Sequence, residues 1–215
     1  GGQFVTDRVA VVGLGVGTLS SYGKRGGEMD FFELDPDMPT FVSAFDYLKL
    51  SQAKLNFYFD DARLALRKTP PSYYDVLVID AFSGDSVPVH LLTTEAIREY
   101  RGHMKESGLV LFHISNRYID LAPVLASNAR AVGAYAVFAS NTAQGSALLA
   151  SDWAALTWDR RSRDKLVAEM QWQDRTTDAQ MKPARPWTDK YSNLPSVMKP
   201  RVLLNSLRDF QPFRW

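Results

Sequence analysis

The chain has no cysteine, only three histidines and almost no excess charge: 25 lysines and arginines stand against 24 aspartates and glutamates, a formal net charge of +1. Zero cysteines exclude disulfides and thiolate metal sites, and fit a cytosolic enzyme. Balanced charge leaves no electrostatic footprint for nucleic acid. There is no apolar run of roughly 18 residues, so the sequence carries no membrane span, and it shows no signal-peptide pattern. His90, His103 and His113 lack metal-ligand spacing, so structural roles are expected and no metal site is assigned. What is present is a 46% apolar content over 215 residues, enough for one domain with a real core and room for an appendage. The chain begins Gly-Gly-Gln-Phe, without Met, and meets its first core strand almost at once. That pattern is expected of a segment cut from something longer.

Short apolar runs alternate with helical stretches. Strands are expected at Val9–Val12, Met29–Glu33, Leu55–Phe59, Val76–Asp80, Leu109–Ile114 and Ala134–Ala139, with a last one at Ala147–Ser151. Several are apolar throughout, as suits strands covered on both faces. Helices are expected at Leu19–Arg25, Pro39–Leu48, Ala62–Lys68, Thr94–Lys105, Leu121–Val132 and Arg161–Met170. Pro39 fits a first helical turn, and Thr93 or Thr94 can cap the helix that follows it. This alternation argues for an α/β fold with a doubly wound, mainly parallel sheet and helices on both faces. Residues 172–215 differ, being rich in Pro, Trp, Arg and polar residues with weak periodicity. An irregular extension packed on the sheet or over the site is expected there. The five tryptophans lie after residue 152 and suit core or lid packing.

Gly13-Leu-Gly15-Val-Gly17 follows the apolar run Val9–Val12 directly, and Glu33 ends the next run. A strand breaking into a glycine turn and then a helix lets backbone N–H groups approach a ligand. An acid about 20 positions on, at the tip of the second strand, is placed to hold the two hydroxyls of a ribose. A nicotinamide or flavin fingerprint would read G-x-G-x-x-G/A, but here position 18 is Thr. The G-x-G-x-G form resembles the first motif of S-adenosylmethionine-dependent enzymes. A tight turn that holds no ligand gives the same glycines.

In an open parallel sheet, ligands bind outside the carboxyl ends of the strands. Those ends carry Gly13–Gly17, Glu33 with Asp35, Asp60-Asp61, Asp80 through Asp85, and His113 through Arg117. Of Asp60 and Asp61, one can cap the next helix. The other is then free to accept from an adenine amino group, and Asp61 is assigned that part. Asp80 and Asp85 can together hold a cationic substrate and accept a proton from an amine. Capping by Asp80 and plain solvation of Asp85 remain the alternatives. His113-Ile-Ser-Asn-Arg117 has room for a minor pocket role.

The order glycine turn, Glu33-Leu-Asp35-Pro, Asp61-Ala, Tyr74-Asp-Val-Leu-Val-Ile-Asp80, then Leu92-Thr-Thr-Glu95 resembles the core of the spermidine synthase (polyamine aminopropyltransferase) family, from about Val9 to Gly133. The resemblance implies a Rossmann-like sheet of the S-adenosylmethionine-dependent methyltransferase type. It implies an adenosyl-ligand-binding catalytic domain over 1–171 and an irregular C-terminal extension over 172–215. Gly13, Gly15 and Gly17 would approach the methionine-derived part and thioadenosine. Glu33 would hold the ribose, Asp61 the adenine, and Asp80 would take the proton of the attacking amine with Asp85 assisting. The implied co-substrates are decarboxylated S-adenosylmethionine and a small amine, without metal, in a cytoplasmic protein compatible with a homodimer.

Two features depart from that family. Its loop reads Asp-Ser-Ser/Thr-Asp-Pro, whereas here Asp80-Ala-Phe-Ser-Gly-Asp85-Ser-Val-Pro88 is longer by two between the acids and carries the bulk of Phe82. The family's amino-terminal β-hairpin region is not in this sequence. Trp187-Thr-Asp-Lys-Tyr-Ser-Asn193 resembles spermidine-synthase-like domains joined to membrane-spanning halves, which implies a membrane-embedded part ahead of this segment. The same pocket would also serve a methyltransferase or a lyase using S-adenosylmethionine itself, or a non-catalytic adenosyl-binding domain.

Overall fold

The computed structural model describes residues 6–42, 44–81, 88–141, 150–176 and 185–199. Its centre is an eight-stranded sheet: β1 (Arg8–Val12), β2 (Glu28–Glu33), β3 (Lys54–Phe59), β4 (Tyr74–Ile79), β5 (Met104–His113), β6 (Tyr135–Asn141), β7 (Ser151–Thr157) and β8 (Gln173–Asp174). The spatial order is β3-β2-β1-β4-β5-β7-β6-β8. The first five strands in that order are parallel, and β7 runs antiparallel to both β5 and β6. This is the mainly parallel α/β sheet that the alternating pattern implies, with β7 and β8 reversed.

Burial explains the strand composition. All six residues of β4 are buried, so its Tyr-Asp-Val-Leu-Val-Ile run does not alternate with polar side chains facing water. One face packs against α3 (Ala62–Leu66), α4 (Thr94–His103) and α5 (Ala122–Ala131), where Leu66, Ile97, Tyr100 and Leu125 meet Val12, Leu77, Ile79 and Phe112. On the other, Val42 of α1 (Met38–Val42) and Leu48 of α2 (Tyr47–Leu50) cover Val11, Phe31 and Val78. Leu166 of α6 (Arg160–Met170) covers Leu109, Val137 and Ala155. Each such large apolar side chain contributes about 1.5–3 kcal/mol when fully buried. Tyr100 is buried with its hydroxyl donating to the Leu91 carbonyl at 3.1 Å, which offsets the desolvation of that group.

Three local expectations are corrected. Leu19–Arg25 is not an α-helix; a 3-10 turn covers Thr18–Tyr22 and stops at Gly23, whose N–H closes on the Ser20 carbonyl. Gly26 at φ +81° then turns the chain back toward β2. Pro39–Leu48 forms two short helices, α1 and α2, because the chain turns between them before Asp46. The last central strand is Ser151–Thr157 rather than Ala147–Ser151, of which 147–149 lie outside the described residues. The pairing of Trp153 with His113 and with Ala139 fixes that later register. Thr93 is the cap of α4, its hydroxyl accepting from the Ala96 N–H at 3.2 Å.

Register positions the site. Val12 pairs with Phe32 on one side and with Ile79 on the other, and Ile79 pairs with Phe112. The carboxyl ends of β1, β2, β4 and β5 therefore align, and Gly13, Glu33, Asp80 and His113 emerge along one edge. The strand order reverses between β1 and β4, which marks the crevice where such sheets take ligands.

Candidate active site

The glycine turn is built against the end of β4. Gly13 has φ +93°, and a Cβ there would lie 2.3 Å from the Asp80 carbonyl oxygen, so no other residue fits. Gly17, at φ +80°, would bring a Cβ to 3.0 Å from Leu48 and lets α2 close on the turn. A Cβ at Gly15, between them, would meet only open space, so the outer rim of the turn is free for a ligand.

Glu33 ties this turn to β2. Its Oε2 accepts from the Leu14 N–H at 2.9 Å and its Oε1 from the Asp35 N–H at 3.1 Å. An ionised carboxylate has about four acceptor positions, so two bonds leave capacity for two hydroxyls.

The acid pair after β3 divides its work differently from expectation. Asp61 itself caps α3, its Oδ1 accepting from the Leu64 N–H at 3.0 Å. It takes the cap because it directly precedes the first helical residue. Its Oδ2 stands 3.6 Å from His90 Nε2. Asp60 accepts from the Asp61 N–H and from Lys68 Nζ at 2.8 Å, and these bonds, Lys68 foremost, hold its carboxyl below the usual range. Asp61 thus uses one oxygen as the cap and has the other beside His90.

At the ends of β4 and β5 the structure brings together residues the sequence does not join. Asp80 Oδ1 lies 2.7 Å from His113 Nδ1, and His113 Nε2 lies 2.8 Å from Ser115 Oγ. Ser115 Oγ accepts from the Asp152 N–H at 2.7 Å. The His113 ring stacks on Trp153 with centroids 4.8 Å apart. Among the described residues, the second carboxylate oxygen of Asp80 has no hydrogen bond. Asp85, the other expected acid, and Phe82 lie outside the described residues. Among the described residues, no three His, Cys, Asp or Glu side chains converge to hold a metal ion, and no helix is long and apolar enough to cross a membrane.

A second polar cluster borders Asp61. Arg63, 9% exposed, donates to both oxygens of Glu99 and to both oxygens of Asp189, and also to the His90 carbonyl. The guanidinium holds both carboxyls below their ordinary range, and the two acids raise its own pKa. Thr93 Oγ1 donates to Asp189 at 2.6 Å, and the buried Trp187 is fixed by its N–H to Asn128 and its carbonyl from Thr94. The Trp187–Asn193 segment is thereby clasped to α3, α4 and α5. Sequence reasoning gave Arg63 no role and His113 only a structural or minor one. The register of Phe112 against Ile79 is the signal that links His113 to Asp80.

No protein-family model matches the chain. Over 110 residues it is 28% identical to a polyamine aminopropyltransferase from Vibrio vulnificus (strain CMCP6), covering 49% of this chain and 36% of that protein's length. Among solved structures it resembles a probable spermidine synthase from Corynebacterium glutamicum ATCC 13032, with a TM-score of 0.59 and 15% identity over 86% of this chain and 74% of that one. It also resembles a SAM-dependent methyltransferase from Archaeoglobus fulgidus, with a TM-score of 0.50 and 16% identity over 71% and 86% of the two chains. The chain spans about a third of the curated relative it matches. It is thus similar in sequence to a polyamine aminopropyltransferase and has the Rossmann-like fold shared by spermidine synthases and S-adenosylmethionine-dependent methyltransferases.

Proposed function

We propose that this domain transfers the aminopropyl group of decarboxylated S-adenosylmethionine to a small amine and releases methylthioadenosine. The observation that carries the reading is the line of acids on one sheet edge, Glu33 beside the glycine turn and Asp80 across β1 from it. The likeness to a polyamine aminopropyltransferase supports it. The sulfonium is already activated, so the protein must mainly align amine and carbon and keep the amine neutral. Glu33 holds the ribose hydroxyls, and the backbone at Gly13, Gly15 and Gly17 borders the sulfonium arm. Asp61 takes the adenine amino group through Oδ2, the oxygen that stands 3.6 Å from His90 Nε2. Asp80 offers its unbonded oxygen to the amine, with Asp85 as a second anchor. Carboxylates here suit cationic partners and disfavour a co-substrate that keeps its own carboxylate.

The test is a mass-spectrometric product assay with S-adenosylmethionine or its decarboxylated form, each with and without putrescine and spermidine. The expected result is methylthioadenosine with an aminopropylated amine, from the decarboxylated form only. S-adenosylhomocysteine would make the domain a methyltransferase, and methylthioadenosine without an adduct a lyase. Ligand binding without product would leave a sensor or scaffold domain.

A further inference from the structure

We infer that His113 is the base that receives the proton of the attacking amine, with Asp80 as the residue that orients it. The inference rests on the aminopropyl-transfer reading above.

The direction of each hydrogen bond follows from its partners. The Asp152 N–H can only donate, so Ser115 Oγ accepts there, and its own hydrogen is free to point at His113 Nε2. Nδ1 faces the carboxylate of Asp80, so Nδ1 carries the ring hydrogen. With its hydrogen at Nδ1, the ring presents the Nε2 lone pair toward the Ser115 hydroxyl. Trp153 fixes the ring plane by stacking. The side chains of His113 and Asp80 are 27% and 34% exposed, open enough to meet a substrate yet held from both sides. An imidazole is a stronger base than a carboxylate at neutral pH and so the more effective acceptor of an amine's proton. When Nε2 takes a proton, Ser115 Oγ accepts from it in turn, and the cation rests against the Asp80 carboxylate and the Trp153 face.

The step balances. The amine lone pair forms a bond to the aminopropyl carbon, and the C–S pair moves to sulfur, which leaves as the neutral thioether of methylthioadenosine. The new ammonium gives one proton to Ser115 Oγ, whose own hydrogen passes to His113 Nε2. The positive charge that began on sulfur ends on the imidazolium.

The test uses the full chain with decarboxylated S-adenosylmethionine and the amine it accepts, and follows methylthioadenosine release. In His113→Asn the side-chain amide can still donate to Asp80, but no imidazole remains, and the weaker carboxylate base is left alone. The expected result is a kcat about 10²–10³-fold lower, with the KM of the amine changed by less than about threefold. His113→Gly should regain about tenfold or more in rate when free imidazole is added, which a merely structural role would not allow. Ser115→Ala should lose only about tenfold, because water can stand in for the hydroxyl. A kcat for His113→Asn within about threefold of the unsubstituted chain would overturn the inference and leave aminopropyl transfer standing. If that variant fails to fold, as judged by circular dichroism, the imidazole response of His113→Gly decides, and its absence overturns the inference. An unsubstituted chain that releases no methylthioadenosine with any amine would overturn the transfer reading itself, and the base assignment would fall with it.

Discussion

Two polar clusters flank the crevice, and they are built on opposite plans. Around Arg63, the Nε, Nη1 and Nη2 nitrogens each have a partner, and the acids come from α4 and from a segment 126 residues away. Around Asp80, among the described residues, the bonds link the ends of neighbouring strands and one carboxylate oxygen is unbonded. A cluster that ties remote segments together and satisfies its cation completely has its bonding spent on the fold. A cluster that is half-exposed and keeps an acceptor in hand has capacity left for a substrate. The comparison separates structural from chemical use of the same residue types, and it can be broken at either end.

The largest effect is expected at Asp80. Asp80→Asn should lower aminopropyl transfer about 10³-fold, equivalent to about 4 kcal/mol of barrier, because the amine loses its anionic partner and His113 its orienting charge. Its melting temperature should stay within about 2 °C, since the asparagine still fits the strand end and the group is partly exposed. Steady-state kinetics and calorimetry on the same preparation check both halves. A large loss of stability with modest loss of rate would make this cluster structural too.

The mirror experiment is Arg63→Met. Removing the cation leaves Asp189 without its ion-pair partner and Glu99 with Arg67 alone, where breaking a fully buried pair costs about 3–5 kcal/mol. Glu99 and Asp189 keep 27% and 41% exposure, so the lower figure applies, about 3 kcal/mol or a fall of roughly 6–12 °C in melting temperature. Denaturant unfolding should show an earlier midpoint. A change below about 1 kcal/mol would mean that the guanidinium does not clasp the Trp187–Asn193 segment.

Much of this arrangement is legible in the sequence, and the exceptions share a cause. Apolar runs ending in glycine or acid announce β1, β2 and β4, because a strand buried on both faces must be apolar and must then reach the edge. Gly13, Glu33 and Asp80 are found that way. Leu19–Arg25 has helical spacing, but Gly23 and the Gly26-Gly27 pair end the turn before a second one can form. His113 is lost to local reasoning because its partner is 33 residues back and meets it only through parallel pairing. Arg63 is hidden more deeply, since nothing near it in sequence shows that α3 will meet Asp189. Asp61 is half-read: of the two acids it is the one that caps α3, through Oδ1, while its Oδ2 meets His90.

The smallest expected effect concerns acid, and it sharpens the difference between the Arg63 cluster and ordinary surface pairs. Glu99 and Asp189 are held below the carboxylate range, by Arg63 above all. In the unfolded chain they titrate near about 4, so between that value and their lower folded values the unfolded state binds more protons. Their contribution is fully present above about pH 5 and is lost as pH falls through the folded values. Asp46 and Asp60 are lowered as well, by Lys49 and Lys68, but both lysines are 73% exposed whereas Arg63 is buried. Salt at about 0.5 M should screen those two pairs and leave the partly buried Arg63 cluster largely intact. Melting curves from pH 7 to pH 3 in high salt should therefore still fall with acid in the unsubstituted chain. They should fall less steeply in Asp189→Asn, which has one fewer depressed carboxyl to protonate. Equal slopes in the two proteins would place the acid sensitivity outside the clasp and remove the contrast between a buried cation that organises the fold and an edge that is open to chemistry.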